Sequence, residues 1–351
     1  MARVNIPTFK LNNGREIPAL GYGTWLGMDE SESSDKSPDK PFEFGFSTAG
    51  IPKMVEALSY AIDVGYRHID TAHLYRVEPE VGQVINKKIQ EGVVKREELF
   101  VTTKVWHHFH READVEVSVR GSLRRLNLDY IDLVLMHWPM SISQEGVDEK
   151  IDYLETWRGF ESVLSKGLVR SIGVSNFNLE QMDRLLKNCK VPPVTNQIEI
   201  NLNLGQKELV DFCQANKVLI TAYSPFGTMV PSRSAPNSPE PKLNNPTMVA
   251  IAKKYGKTVT QVTLRYLYQR GIVSIPKTVT NSRVVENASI FDFNLDDDDV
   301  QTLAKFDNGF RTVRPIFWQD YENYPFDKVP EKLEIPESLR IWKNGFNSDI
   351  D

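Results

Sequence analysis

Apolar residues recur along this chain in two alternating rhythms, short unbroken runs and stretches of helical spacing. The runs fall at Ala19–Gly23, Arg67–Asp70, Phe100–Lys104, Ile131–Met136, Val169–Val174, Thr195–Glu199, Val218–Ala222 and Val273–Ile275. Each is too short for a helix and reads as a buried strand. Between them, helical spacing predicts helices over Lys53–Asp63, Glu78–Glu91, Ala113–Leu126, Tyr153–Lys166, Leu179–Lys187, Gly205–Ala215 and Thr247–Tyr255. Further helices are expected at Thr260–Gln269, Arg283–Ser289 and after Leu295. Eight strands alternating with helices is the count of a closed parallel barrel, so the pattern predicts an α/β protein built as a (β/α)8 TIM barrel.

Four stretches break the rhythm. Phe9–Pro18 alternates around Asn13-Gly14, a dipeptide that accepts positive φ, and reads as an N-terminal β-hairpin. Met28–Pro52 is polar, then phenylalanine-rich, and reads as an insertion loop. Ser224–Asn245 is rich in proline and serine, and residues 308–351 carry aromatics and prolines with little periodicity, as a tail draped over the barrel would. One domain over residues 1–351 accommodates all of these.

Composition adds exclusions. A net charge of −5 and a pI near 5.8 argue against a nucleic-acid or anionic-membrane surface, so any phosphate site must rest on a few placed cations. No run is long enough to span a bilayer, and the N-terminus lacks a signal-like apolar stretch. Cys189 and Cys213 have no metal or redox spacing, which suits a reducing, cytoplasmic setting. The acids Asp296 to Asp299 fit the positive end of a helix dipole better than a metal site, and no metal is expected. Gly21, Gly23 and Gly27 approach a dinucleotide-binding fingerprint, but the third glycine is misplaced by one and no helix follows.

The chemistry-bearing residues stand where strands end. Val64–Gly82 places Asp70 and Tyr75 just past a strand, Lys104 ends the run at Phe100, and His137 follows the run at Ile131. If these strands are neighbours in a parallel sheet, an acid, a phenol, an amine and an imidazole converge at one mouth.

Beyond these positions the chain resembles the aldo-keto reductases, in their aldose and aldehyde reductase branch, from about Phe9 to Phe326. The resemblance rests on GYRHIDTAHLY at Gly65–Tyr75, VTTKVW at Val101–Trp106, HWP at His137–Pro139, GVSNF at Gly173–Phe177, NQIE at Asn196–Glu199, AYSP at Ala222–Pro225 and IPKTVTNSRVVEN at Ile275–Asn287. It implies NADPH-dependent reduction of aldehydes and ketones, with a catalytic set of Asp70, Tyr75, Lys104 and His137. A free phenol, with a pKa of about 10, is a reluctant donor at neutral pH, and an adjacent ammonium eases release by stabilising the phenolate. Lys104 takes that part, Asp70 holds the ammonium, and His137 orients the substrate carbonyl. Relatives that reduce a steroid carbon–carbon double bond carry Glu at the position of His137, so the histidine favours carbonyl reduction.

The resemblance also implies that Tyr223 stacks on the nicotinamide while Ser175, Asn176 and Gln197 bond its carboxamide. Lys277, Thr278 and Arg283 would receive the adenosine 2′-phosphate, with Glu286 and Asn287 at the adenine. Thr24, Trp25, Asp70, Ser224, Pro225, Phe226, Gly227, Val279 and Thr280 complete the expected NADPH/NADP+ contacts, and residues 224–245 would close over the pyrophosphate. Trp25, Tyr75, Trp106, His137, Trp138 and Phe310 are the expected substrate residues, an aromatic slot suited to hydrophobic aldehydes or a rigid ketone. A small-molecule carbonyl substrate, a monomer, and neither nucleic acid nor membrane as partner follow.

Three departures mark this chain within that resemblance. Its insertion at Met28–Pro52 is longer than usual, the stretch from His137 to Trp157 is shorter, and Arg76-Val77-Glu78 follows Tyr75 where the family has Asn-Glu. The first two border the mouth, so Phe42, Phe44 or Phe46 is expected to supply the apolar wall that a longer loop after His137 would otherwise provide. Rival readings are a hydroxysteroid or ecdysteroid oxidoreductase and a cofactor-sensing module that keeps the reductase scaffold.

Overall fold

The computed structural model describes residues 3–29, 45–46, 50–230, 234 and 237–335. The chain opens with the predicted hairpin, Thr8–Lys10 (β1) against Glu16–Pro18 (β2), with Phe9 opposite Ile17 and Gly14 at φ +84° in the turn. Leu11 and Ile17 are buried in a cluster with Phe100, Leu133, Leu135, Val194 and Val273, so the hairpin plugs the N-terminal end of the barrel. Asn12 and Asn13 tie it there, donating to Pro193 O at 2.9 Å and Ser171 Oγ at 2.9 Å, just upstream of two barrel strands.

The barrel is built from Gly21–Gly23 (β3) and seven later strands. Met28–Asp29 (β4) and Gly45–Phe46 (β5) pair antiparallel as a separate ribbon, and helix Ile51–Val64 (α1) follows. Then come His68–Asp70 (β6), Glu78–Gln90 (α2), Phe100–Val105 (β7), Glu112–Leu126 (α3), Leu133–Met136 (β8), Tyr153–Ser165 (α4), Ile172–Ser175 (β9) and Leu179–Asn188 (α5). Thr195–Glu199 (β10), Lys207–Ala215 (α6), Leu219–Tyr223 (β11), Pro246–Tyr255 (α7), Val259–Gln269 (α8), Ile272–Ser274 (β12), Asn281–Ala288 (α9) and Asp297–Ala304 (α10) complete the described elements. The eight strands run β3-β6-β7-β8-β9-β10-β11-β12, all parallel. A parallel bridge between Leu20 and Ser274 closes the ring.

The glycines at the start serve this closure. A Cβ on Gly21 would lie 2.6 Å from the buried His68 ring, and one on Gly23 would lie 2.8 Å from Ile275 O, so their bareness lets strands meet rather than cradling a dinucleotide. Around the barrel, apolar strand faces meet helix stripes such as Met54, Leu58, Ala61 and Ile62 of α1.

Several boundaries differ from the predicted ones for local reasons. β8 and β9 begin later, because Ile131 and Val169 meet only in an isolated bridge and the Asp132 carboxylate takes the Val101 N–H at 3.0 Å and Arg96 at 2.7 Å. α1 begins at Ile51 and absorbs Pro52, since a proline in the first turn withholds no needed donor. The expected insertion is thereby shortened; Phe42 and Phe44 lie outside the described residues, as does the side chain of Phe46. The acidic run caps a helix: Asp296 accepts the Asp299 N–H at 2.9 Å, and Lys254 bonds both acids. Among the described residues, no helix is long and apolar enough to cross a membrane.

Candidate active site

Because all eight strands are parallel, their C-terminal ends share one mouth, and the expected residues sit there. Asp70 ends β6, Lys104 is the penultimate residue of β7, His137 follows β8, Ser175 ends β9 and Tyr223 ends β11. Tyr75 comes from a short 3-10 turn, His73–Tyr75, closed by Arg76 in the left-handed region at φ 55°.

The four catalytic candidates are brought together. Lys104 is 1% exposed, and its Nζ donates to Asp70 Oδ1 at 2.6 Å, to Thr71 O at 3.0 Å and to Tyr75 Oη at 3.4 Å. The amine thus stands between the carboxylate and the phenol. Burial draws the Lys104 proton affinity down, while Asp70 and then Glu78 oppose that with their charge. The Tyr75 ring lies 5.8 Å from His137 and 4.9 Å from Trp25, so the phenol is held between an imidazole and an indole. His137 is pushed well below the ordinary imidazole range, first by burial, then by Lys104 and His73. It is therefore neutral at pH 7, with Nδ1 buried and unbonded among the described residues.

The expected carboxamide-binding residues form one hydrogen-bonded chain with the catalytic ones. Asn176 donates to His137 O at 2.9 Å and accepts from Tyr223 Oη at 2.7 Å; Ser175 Oγ donates to Gln197 O at 2.7 Å. Gln197 Nε2 donates to Asp70 Oδ2 at 2.8 Å, so this amide is engaged by the Asp70 carboxylate. Thr24 Oγ1 donates to Asp70 O at 3.0 Å from the adjacent strand. Fixing Asp70 from both sides leaves Lys104 one direction in which to present its remaining donor, toward the phenol.

Downstream residues divide. Lys277 and Arg283 are exposed on either side of Thr278–Thr280, where the chain turns from β12 into α9, which suits them to an anion. Thr278 and Asn287 are buried, Val279 packs on the core, and Thr278 Oγ1 accepts the Thr280 N–H at 3.1 Å. Glu286, expected at an adenine, instead accepts the Thr258 and Thr260 hydroxyls at 2.9 and 2.7 Å. Ser224, at φ 48°, and Gly227, also at φ 48°, turn the chain sharply around Pro225 and Phe226 as it leaves β11.

The residues expected to line an aromatic slot do not all gather in one place. Trp106 and Trp138 are buried with Met140, Ile142 and Trp318, and the Trp318 ring lies 6.0 Å from Trp106 and 6.5 Å from Trp138. Phe310, expected beside them, is 38% exposed and outside that cluster, because its backbone N–H is drawn to Asn203 O at 3.1 Å.

A further layer is not foreseen from the sequence. Thr103 Oγ1 donates to Glu78 Oε1 at 2.6 Å, Arg125 Nε donates to Glu78 Oε2 at 2.7 Å, and Arg125 Nη2 lies 2.8 Å from His73 Nδ1. This backs the turn that carries Tyr75. A signal was present: Glu78 shares a helical stripe with buried Val81 and Ile85, so the acid stands on an inward face.

The aldo/keto reductase family model matches residues 20–308. The chain is 42% identical over 322 residues to aldo-keto reductase AKR2E4 of Bombyx mori, covering 92% of this chain and 99% of that protein. It is 36% identical over 332 residues to estradiol 17 beta-dehydrogenase 5 of Mus musculus, covering 91% and 97%. Among solved structures, aldo-keto reductase AKR2E5 complexed with NADPH superposes with a TM-score of 0.91 at 72% identity, covering 98% of this chain and 100% of that one. The Bombyx mori AKR2E4 complex with NADP gives 0.84 at 42% identity, covering 92% and 100%.

Proposed function

The chain belongs to the aldo/keto reductase family, and from that premise we propose how its own residues carry out the reduction and what they reduce. It is an NADPH-dependent oxidoreductase that converts carbonyl compounds to alcohols. The observation that carries the assignment of roles is the placement of Lys104 Nζ between Asp70 and Tyr75.

Bound NADPH supplies the hydride. The donor set suits it: Tyr223 offers a ring pinned through its hydroxyl to Asn176, while Lys277 and Arg283 offer exposed cations for a 2′-phosphate. Ser175, Asn176 and Gln197 would bond the carboxamide, Gln197 through the oxygen left when its nitrogen turns to Asp70. Of the segment expected over the pyrophosphate, residues 224–230 and 237–245 would border it; residues 231–233 and 235–236 lie outside the described residues.

Tyr75 gives its phenolic proton to the substrate oxygen. Lys104, its charge supported by Asp70, steadies the phenolate left behind, an electrostatic effect that grows where water is excluded. His137 is neutral, so it offers a ring N–H to the carbonyl oxygen without competing as an acid. Together the phenol and the imidazole fix which way the carbonyl points.

The substrates are aldehydes and ketones with an apolar body, because Trp25, Trp106, Trp138 and Trp318 supply the surface beside the polar set. A steroid ketone is the second reading, favoured by the flat aromatic walls and the dehydrogenase relative. The protein works as a cytosolic monomer; both thiols are free, and burial pushes Cys213 up to about 12, which leaves it inert.

Consumption of NADPH with nitrobenzaldehyde tests the donor. Tyr75→Phe is expected to lower kcat by at least about a hundredfold, the scale of general acid catalysis. Equal turnover in the mutant would remove Tyr75 as the proton source.

A further inference from the structure

Glu199 belongs to the NQIE stretch yet touches none of the catalytic groups. It is fully buried, and among the described residues no cation pairs with it. Its carboxylate is instead satisfied by the tail: Oε1 accepts from Thr312 N at 2.9 Å and Thr312 Oγ1 at 2.5 Å, and Oε2 accepts from Val313 N at 2.9 Å. Val313 in turn packs against the aromatic cluster of Trp106, Trp138 and Trp318. A buried carboxyl group needs its oxygens bonded by fixed donors, so the tail cannot leave without stranding them.

The residues that follow reach the other way. Asn201 Nδ2 donates to Glu199 Oε1 at 3.1 Å, and its side-chain amide sits where a Cβ on Gly227 would lie, 2.6 to 2.9 Å away. Asn203, 2% exposed, uses its Oδ1 to accept from Thr228 Oγ1 at 2.8 Å and its Nδ2 to donate to Glu240 O at 2.5 Å. Its own backbone oxygen accepts the N–H groups of Asn308 and Phe310 at 3.2 and 3.1 Å. One buried asparagine is therefore bonded to residues 224–245 by its side chain and to the tail by its backbone.

We propose that Glu199, Asn201 and Asn203 are positioning residues that tie the substrate wall to the segment bordering the cofactor, so that the fit of the carbonyl substrate depends on whether NADP(H) is in place. The proposal rests on the reading that residues 224–245 border the pyrophosphate. When that segment takes up the cofactor, Thr228 and Glu240 fix Asn203, and Asn203 with Glu199 fixes the tail from Asn308 to Val313. Substrates that fill the aromatic slot feel this; small aldehydes that stop at Tyr75 and His137 do not.

Amide hydrogen exchange of the full chain with and without saturating NADP+ tests the coupling, with NADP+ binding followed separately by quenching of tryptophan fluorescence. In the wild type, NADP+ is expected to slow exchange of residues 308–318 by at least about fivefold, the lower end of ordinary site-to-site coupling. Thr228→Val, which cuts only the loop side, should still bind NADP+ yet lose most of that protection. Its KM for a bulky hydrophobic aldehyde should rise about fivefold more than its KM for a small one. Glu199→Gln, which turns an amide donor toward the tail N–H groups, should give the same split, and if it fails to fold, Thr228→Val alone decides. Tail exchange indifferent to bound NADP+, or full protection kept in Thr228→Val, overturns the proposal. If NADP+ slows exchange in the tail but leaves residues 224–230 unaffected, the cofactor-side reading of that segment fails and the coupling fails with it.

Discussion

Lys104 must meet two opposed demands: water is kept from it, which favours the neutral amine, while the role proposed for it beside Tyr75 needs the ammonium. Asp70 at 2.6 Å and the buried Glu78 answer the first, and Thr71 O at 3.0 Å takes a further donor. The cations proposed for the 2′-phosphate work by the opposite physics, since Lys277 and Arg283 are exposed and would gain most from a partner that brings its own charge. Removing one such cation should therefore matter for the cofactor carrying a 2′-phosphate and little for the one without it. Lys277→Met is expected to raise the KM for NADPH by about tenfold, on the scale of a lost charge-assisted hydrogen bond, and to leave that for NADH nearly unchanged. Steady-state kinetics with both cofactors checks it, and equal losses would refute the assignment.

The elements were legible where sequence pattern and local chemistry agree. All eight strands and the hairpin were readable because a parallel barrel needs short apolar runs, and Asn13-Gly14 can turn in few ways. The convergence of Asp70, Lys104 and His137 was readable because each stands at or just past a strand end, with Tyr75 on the turn that follows the first. What pattern could not convey was the direction of side chains across space: that Gln197 would turn to Asp70, that Glu286 would serve Thr258 and Thr260, and that Asn203 would pull the Phe310 backbone away from the slot. Nor does sequence distance show how α2 seats on α3. A Cβ on Gly82 would lie 2.3 Å from Leu126 O, a backbone atom that cannot swing aside, and Asn86 Nδ2 bonds Leu126 O at 3.3 Å beside it. Gly82→Ala is expected to destabilise the protein by about 1–3 kcal/mol, as other overpacked sites do, despite alanine's better helix propensity. A urea titration showing no loss would mean that α2 can slide without consequence, and the turn carrying Tyr75 would then not depend on its seat.

At the scale of the whole molecule, the barrel stores titratable groups in places where only one protonation state is tolerated. His68, His73, His107, His110 and His137 are all buried, and burial is the leading reason each binds a proton more weakly than a free imidazole. A base with depressed proton affinity in the folded state favours folding while it is neutral. Its contribution is whole above the unfolded pKa of about 6.5 and shrinks as pH falls through the window below it, which reaches down to about 4 for His68 and about 3 for His110. The unfolded chain binds the extra protons in that window, so stability falls with pH there. His107 and His110 add a local consequence, since their rings stack 6.1 Å apart and the Trp318 ring lies 4.7 Å from His107. Charging both would set like charges side by side next to the aromatic cluster, with the exposed Arg111 paired to the half-buried Glu149 nearby and His108 between the two histidines in sequence. The expected outcome is a melting temperature that is flat from pH 8 to about 6.5 and declines steadily below it, with the signal of the tail lost before that of the barrel. Thermal unfolding followed by tryptophan fluorescence and by far-ultraviolet circular dichroism across that range tests both parts. A melting temperature that rises on acidification would show that carboxylates, not buried imidazoles, govern the acid limb, and coincident transitions would show that the aromatic wall and the barrel unfold as one unit.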